Sequence, residues 1–239
     1  MTERTPEELR LLAGPEFNAL LAADPELKRL EGLKFDHALE SRVLLEILGI
    51  GDWRVGKLPV RPLTAATWAF LWMLGSPLVL GGAVTVSDLD VMLYVLSIPQ
   101  LGEIPCGIAD IPAVAADYAG ATGMEAQDVV AEWHALADAA FQPLTLLPDP
   151  EHSDDPPVYD GVWCAGIAAI AAREGGVTLD QAMHDLSLST VSALFVNYRR
   201  REDKDTHLTR RPKPEILALI EQRVDALAEE FLNKKNAPV

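Results

Sequence analysis

The segment from Pro62 to Ser87 contains no charged residue, carries Trp68 and Trp72, and is interrupted at Gly75-Ser76-Pro77. An uncharged segment of this length spans a membrane, forms the buried centre of a fold, or is held for a partner. The interruption predicts two shorter helices, each too short to cross a bilayer. We therefore expect the segment to form the centre of a fold that stays outside the membrane.

Hydroxyl-bearing residues mark where helices should begin. Thr64 and Ser87 each precede an apolar run and are expected to cap a helix. The spacings Thr122–Glu125 and Thr178–Gln181 predict capping boxes, in which two side chains satisfy the free amides of the first turn. The residues from Asp36 to Leu48 predict a helix with one wide apolar face.

Helical patterns of this kind continue through most of the chain. We therefore predict an all-α fold, an irregular helical domain followed by a C-terminal helical subdomain. The predicted divisions are an N-terminal helical arm (1–35), a main helical domain (36–147), a Pro-rich acidic linker or loop (148–158) and a C-terminal helical subdomain (159–239).

The charge is unevenly distributed. The formal net charge is −16, and between Arg61 and Arg173 there are fourteen acidic residues and no Lys or Arg. Such a surface repels phosphate backbones, and it suits solubility or a basic partner. Cys106 and Cys164 give no disulfide framework, and residues 1–14 lack the pattern of a signal peptide. We expect a cytoplasmic protein.

Catalytic motifs are missing from the sequence. It has no phosphate-binding loop, dinucleotide fingerprint, zinc-binding helix or nucleophile elbow. His152 with Asp154 and Asp155 could bind a cation, but this Pro-rich acidic stretch is more typical of a solvated loop. Cys164 beside Trp163 is more typical of a core residue than of a nucleophile. We expect no enzymatic activity, cofactor or metal.

A basic cluster follows a possible three-helix unit at residues 161–200. Arg199, Arg200 and Arg201 end its last helix, and basic residues continue to Lys213. A helix-turn-helix reader of DNA can look like this. However, the would-be recognition helix is mostly apolar and the net charge opposes DNA. The pattern favours pairing of the cluster with acidic groups of this chain or of a neighbouring subunit.

Trp68 and Trp72 lie four residues apart and share one helix face. Rings so placed either pack in the core or line a groove for a partner. With the basic cluster, they are the candidate partner-binding residues. These candidates are Trp68, Trp72, Arg199, Arg200 and Arg201.

Several short motifs resemble a pattern in proteins of tailed phages and prophages, encoded near tail genes and identified as tail assembly chaperones. The likeness covers residues 55–100 and 160–200 and includes no catalytic signature. Its motifs are Leu58–Thr64, Leu74–Leu78, Ser87–Asp90, Leu96–Pro99 and the Gly-Gly turn with VTLDQAMHDLS in Trp163–Leu186.

The resemblance implies a non-enzymatic role in tail morphogenesis. Such chaperones bind the long helical tape measure protein in the host cytoplasm and keep it soluble until tail-tube subunits polymerise around it. Two alternatives stay open: a structural protein of the tail or connector that remains in the virion, and a DNA-binding regulator that uses residues 199–213. A homo-oligomer is compatible with each.

Overall fold

A computed structural model describes residues 4–50, 53–98, 101–104, 106–148, 160–203, 206–210 and 212–236. This part of the chain is helical almost throughout and contains one two-stranded sheet, so the predicted all-α class is confirmed. Of the predicted linker 148–158, only Pro148 lies within the described residues.

The helices follow one another closely along the chain. They are α1 (Pro6–Leu12), α2 (Pro15–Ala23), α3 (Pro25–Leu33), α4 (His37–Ile47), α5 (Ala65–Met73), α6 (Pro77–Leu80), α7 (Val86–Ser97), α8 (Ile111–Val114), α9 (Tyr118–Thr122), α10 (Ala126–Phe141), α11 (Gly161–Gly175), α12 (Leu179–His184), α13 (Leu188–Glu202) and α14 (Pro214–Asn236). Short 3-10 turns occupy Leu101–Glu103, Ile108–Asp110 and Gln142–Leu146. The strands β1 (Arg54–Val55) and β2 (Leu58–Pro59) pair antiparallel as a small hairpin.

The chain forms two compact units. Residues 1–37 join residues 211–239 in the first unit, and residues 38–210 form the second. Helices α11 and α13 thus belong to the second unit, and α14 to the first. The sequence-based division at 35, 148–158 and 159 stays a prediction.

The first unit packs α2 and α3 against α14. Its core contains Phe17, Leu27 and Leu227. The centres of the Phe17 and Phe231 rings lie 5.4 Å apart. Asp24 caps α3 by accepting a hydrogen bond from the Leu27 amide at 2.8 Å. Its other carboxylate oxygen accepts from the Arg223 guanidinium on α14 at 2.6 Å.

The second unit is built around α5. This helix packs against α11 and α12, and α11 packs in turn against α13. Helix α10 contacts α13 and α7, and α7 also packs against α8 and α9. The most deeply buried large side chains come from the linker before α5 and from α5, α7, α8, α10 and α13. They include Leu63, Leu71, Met92, Leu93, Ile111, Trp133, Leu136 and Leu188.

The helix starts agree only partly with the sequence prediction. Thr64 caps α5, and Thr178 with Gln181 forms the predicted capping box of α12. Ser87, however, lies inside α7, whose capping box is made two residues earlier by Thr85 with Asp88. The predicted box at Thr122–Glu125 is wrong, because the Thr122 hydroxyl donates back to the Ala119 carbonyl at the end of α9.

The N-termini of α5 and α13 lie side by side. Thr64 and Ser187 form an isolated antiparallel bridge, and the Leu188 amide donates to the Leu63 carbonyl at 2.6 Å. Both caps are therefore fixed by a contact between segments more than a hundred residues apart. This contact holds the start of α5 against the start of α13.

None of the helices in the described residues combines the length and apolar character that crossing a bilayer requires.

Candidate functional site

An apolar cleft of about 290 Å³ opens in the second unit where α5 ends and α7 begins. The chain turns sharply there, because Gly75 adopts a left-handed backbone conformation (φ = 72°) that ends α5. The cleft is lined by Met73, Leu74, Ser76, Ser87, Asp88, Val91, Ile108, Ala109, Ile111 and Pro112. The uncharged segment and the first half of α7 therefore provide one wall, and the segment before and within α8 provides the other.

The rim of the apolar cleft leaves large hydrophobic side chains in contact with water. Met73 is 51% exposed and Ile108 is 56% exposed. Nearby along the chain, Leu80, Val86 and Val114 are also exposed. Scattered apolar residues are normal on a surface, but an apolar cavity with an apolar rim is typical of a binding site.

The wall of the apolar cleft contains a buried polar atom without a partner. Ser76 is only 6% exposed, and its hydroxyl has no hydrogen-bond partner among the described residues. Ser76 precedes α6, yet its side chain does not cap that helix. Leaving a buried hydroxyl unpaired costs about 1–3 kcal/mol. The oxygen itself has almost no solvent-accessible surface, so a group in the cleft can reach it only if the Ser76 side chain moves.

Two acidic side chains, Asp88 and Asp110, lie in or beside the lining of the apolar cleft. Asp88 lines the cleft, where its carboxylate accepts hydrogen bonds from the amide and hydroxyl of Thr85 at 2.8 and 2.6 Å. Asp110 is exposed and lies between the lining residues Ala109 and Ile111. Every lining residue comes from the part of the sequence between Arg61 and Arg173, which has no Lys or Arg.

The structure separates the two tryptophans predicted as partner-binding residues. Trp68 is 6% exposed, and its ring stacks on that of Trp133 of α10. The Phe141 ring packs edge-on against it, with the ring centres 4.7 Å apart. Packing therefore describes Trp68 better than a partner groove does. Trp72 is 39% exposed and precedes Met73 of the cleft wall, although it is not itself a lining residue.

The predicted basic residues Arg199, Arg200 and Arg201 lie in the last turn of α13 and are all exposed. Arg201 donates to the Glu174 carboxylate at 2.7 Å, and this hydrogen bond is the largest cause of the lowered pKa of Glu174. In the same region the Arg173 guanidinium lies 4.9 Å from the centre of the Tyr198 ring. Pairing within the chain thus occupies Arg201, as the sequence interpretation favoured.

Comparisons of this chain with protein-family models, with curated proteins and with solved structures find no match. The site must therefore be judged on its own geometry.

Groups suited to catalysis or metal binding are not gathered at the apolar cleft. Within the described ranges, no three His, Cys, Asp or Glu side chains come close enough to hold a metal ion. The stretch with His152, Asp154 and Asp155 lies outside those ranges. Burial, and secondarily the charge of Asp160, raises the pKa of the Cys164 thiol to about 12, which suits a core residue rather than a nucleophile.

Helix α4 carries a second feature that the sequence pattern did not predict. Its buried residues are Val43 and Glu46, whereas large apolar side chains face the solvent. The exposed ones are Leu44, Leu45 and Ile47 and, just after the helix, Leu48 and Ile50. The predicted wide apolar face therefore points mainly outward, and a carboxylate points inward.

The inward-facing carboxylate of Glu46 meets the start of α13. Its Oε2 atom accepts a hydrogen bond from the Ser189 hydroxyl, and its Oε1 atom lies 4.0 Å from the Arg42 Nε atom without a hydrogen bond between them. Burial raises the pKa of Glu46, against the opposing effects of Ser189 and Arg42. The isolated position of this group in a packed helix contact suits a structural role.

Proposed function

We propose that this protein is a non-enzymatic binding protein of phage tail morphogenesis. In this proposal it is a chaperone that binds the helical tape measure protein in the cytoplasm of the bacterial host, before the tail tube assembles. The resemblance of residues 55–100 and 160–200 to tail assembly chaperones suggests the process. The apolar cleft, with its water-exposed rim at Met73 and Ile108, is the observation that carries the binding role.

The cleft supports this role through the physics of helix recognition. An amphipathic helix buries its apolar face in a groove by inserting side chains spaced three and four residues apart. Each apolar group removed from water stabilises the complex, by about 25 cal/mol for each Å² buried. The strongly acidic composition would keep a complex with a long apolar partner dispersed.

The alternative of a DNA-binding regulator has less support. Such a regulator would use Arg199, Arg200 and Arg201, and Arg201 is already paired with Glu174. Helix α13 buries Leu188, Val191 and Val196, so part of its surface serves the core. A structural protein that remains in the virion would use the same apolar cleft, and an experiment must distinguish it from a transient chaperone.

The test is to purify the tagged full-length chain from infected or induced cells before particles are released. We expect a long, helix-rich tail protein to co-purify with the wild-type chain, and purified virions to lack the chain. Failure to recover such a partner contradicts the chaperone proposal. Recovery of the chain in washed virions favours the structural alternative instead.

A further inference from the structure

We infer that the apolar cleft binds an amphipathic helix whose apolar face is flanked by Lys or Arg side chains. This inference rests on the proposed binding function and specifies the chemistry of the partner segment. Three properties of the cleft support it: its charge, its unpaired hydroxyl and its dimensions.

The charge of the cleft selects cations at its edge. Asp88 lines the cleft and Asp110 lies between two lining residues, and both contribute carboxylates. All the lining residues come from the sequence between Arg61 and Arg173, which contains no Lys or Arg. Helix α5 also ends here, and the C-terminal end of a helix carries partial negative charge. Asp88, in the first turn of α7, offsets the partial positive charge at the start of that helix. An acidic segment would be repelled by this edge, whereas a basic one is attracted.

The unpaired hydroxyl of Ser76 calls for a polar atom within the apolar face of the partner. Ser76 lines the cleft and is more than nine-tenths buried. A Ser, Thr, Asn or Gln among the apolar residues of a bound helix could pair with it once the Ser76 side chain rotates toward the cleft, because its oxygen is almost inaccessible in the free chain.

The dimensions suit side chains rather than a large ligand. At about 290 Å³ the cleft is near the lower limit of about 300–1,000 Å³ for small-molecule sites. Its exposed rim at Met73 and Ile108 extends the apolar surface beyond the cavity. A helix lying across this rim would insert a few side chains and cover the exposed ones, with its basic flanks beside Asp88 and Asp110.

The test uses the full-length chain and fluorescein-labelled helical peptides of about 20 residues, or about 30 Å. One peptide has Leu at i, i+3, i+4 and i+7, one Asn within that face and Lys on both flanks. A second replaces every Lys with Glu, and a third scrambles the order so that no apolar face remains. Binding is measured by fluorescence anisotropy at low and moderate salt.

We expect the Lys peptide to bind at least about tenfold more tightly than the Glu or scrambled peptide, with an affinity that falls as salt rises. Ile108→Lys, which places a cation on the rim, should weaken binding about tenfold. The matched control is Leu179→Lys, at a similarly exposed residue of α12 outside the cleft, which should bind like the wild type. Circular dichroism verifies that both variants fold.

Equal binding of the Lys and Glu peptides, no binding of the Lys peptide, or an Ile108→Lys variant that binds like the wild type overturns the inference. The tail proposal is judged separately, by co-purification from cells. If Ile108→Lys still co-purifies a tail protein, the tail proposal stands and the cleft assignment fails. If the Lys peptide binds the cleft but no tail protein is ever recovered, the cleft assignment stands and the tail proposal fails.

Discussion

The indole rings of Trp68 on α5 and Trp133 on α10 stack with their centres 5.9 Å apart and their planes within 9° of parallel. The Trp133 Nε1 atom donates a hydrogen bond to the Leu78 carbonyl of α6 at 3.0 Å. One ring pair therefore joins α5 to α10, and its hydrogen bond extends the connection to the segment beside the apolar cleft.

Replacing Trp68 and Trp72 one at a time should distinguish a core residue from a surface residue. Trp68→Ala removes a buried ring from its stack and should lower the free energy of unfolding by about 3–5 kcal/mol. Trp72→Ala, at a ring that is 39% exposed, should cost about 1 kcal/mol. Urea denaturation of the full-length variants measures both. Similar losses for the two variants would contradict the assignment of Trp68 to the core.

Glu46 should make stability depend on pH. Burial raises its pKa in the folded state above the ordinary value of 4.5. The folded state therefore binds this proton more tightly than the unfolded state does. The stabilisation is complete below about pH 4.5 and is lost as the pH rises through the folded-state pKa.

Glu46→Gln tests this dependence because it removes the titration and keeps a group that can bond Ser189. We expect the variant to gain stability relative to the wild type as the pH rises above about 4.5. Denaturation midpoints measured between about pH 4 and pH 8 give the comparison. A constant difference across that range would contradict the prediction.

Gly56 and Gly75 both have positive φ angles, but their surroundings differ. A Cβ atom on Gly56 would lie 2.3 Å from the Thr122 carbonyl oxygen, whereas one on Gly75 would meet nothing within 4 Å. Gly75→Ala should therefore cost only backbone strain, about 1–2 kcal/mol. Gly56→Ala adds a collision between the hairpin and α9 and should cost roughly 3 kcal/mol or more.

Thermal denaturation of the two glycine variants, compared in one buffer, measures this difference. Because Gly75→Ala provides the strain without the collision, it is the control for Gly56→Ala. An equal loss of stability in the two variants would show that the close approach of Gly56 to the Thr122 carbonyl adds nothing to the cost of Gly56→Ala.

The two thiols should differ in reactivity. Cys164 is fully buried, and its pKa is raised to about 12, whereas Cys106 is half-buried. At about pH 8 an aromatic disulfide reagent should label one thiol in the folded protein and the second only after unfolding. In Cys106→Ser the rapid labelling should disappear. Rapid labelling that persists in that variant would place Cys164 within reach of solvent.

Local signals allowed much of the fold to be predicted. Thr64 and Thr178 cap their helices because a capping hydroxyl acts within one turn and depends little on the rest of the chain. At Thr122 the same signal failed, because this residue is the last of α9 and does not precede a new helix. Its carbonyl instead accepts a hydrogen bond from the Lys57 amide of the hairpin at 2.9 Å. That contact joins distant segments and leaves no local trace in the sequence.

The candidate site was less predictable for the same reason. A helix that is apolar on all sides does not reveal that Trp68 is buried and Trp72 is partly exposed. The second wall of the cleft comes from Ile108 and Ile111, which lie in a short 3-10 turn and at the start of α8. On α4, the periodicity identified an apolar face, but it could not show that the buried residues would be Val43 and Glu46.

The first unit contains both the earliest and the last helices of the chain. At about 5–20 residues per second, a ribosome needs roughly ten to forty seconds to proceed from the end of α3 to the start of α14. During that interval Phe17 and Leu27 have emerged, while Leu227 and Phe231, which complete their core, have not yet been synthesised. Residues 38–210 can begin to fold in that time, so the packing of α2 and α3 against α14 should be the last part to assemble.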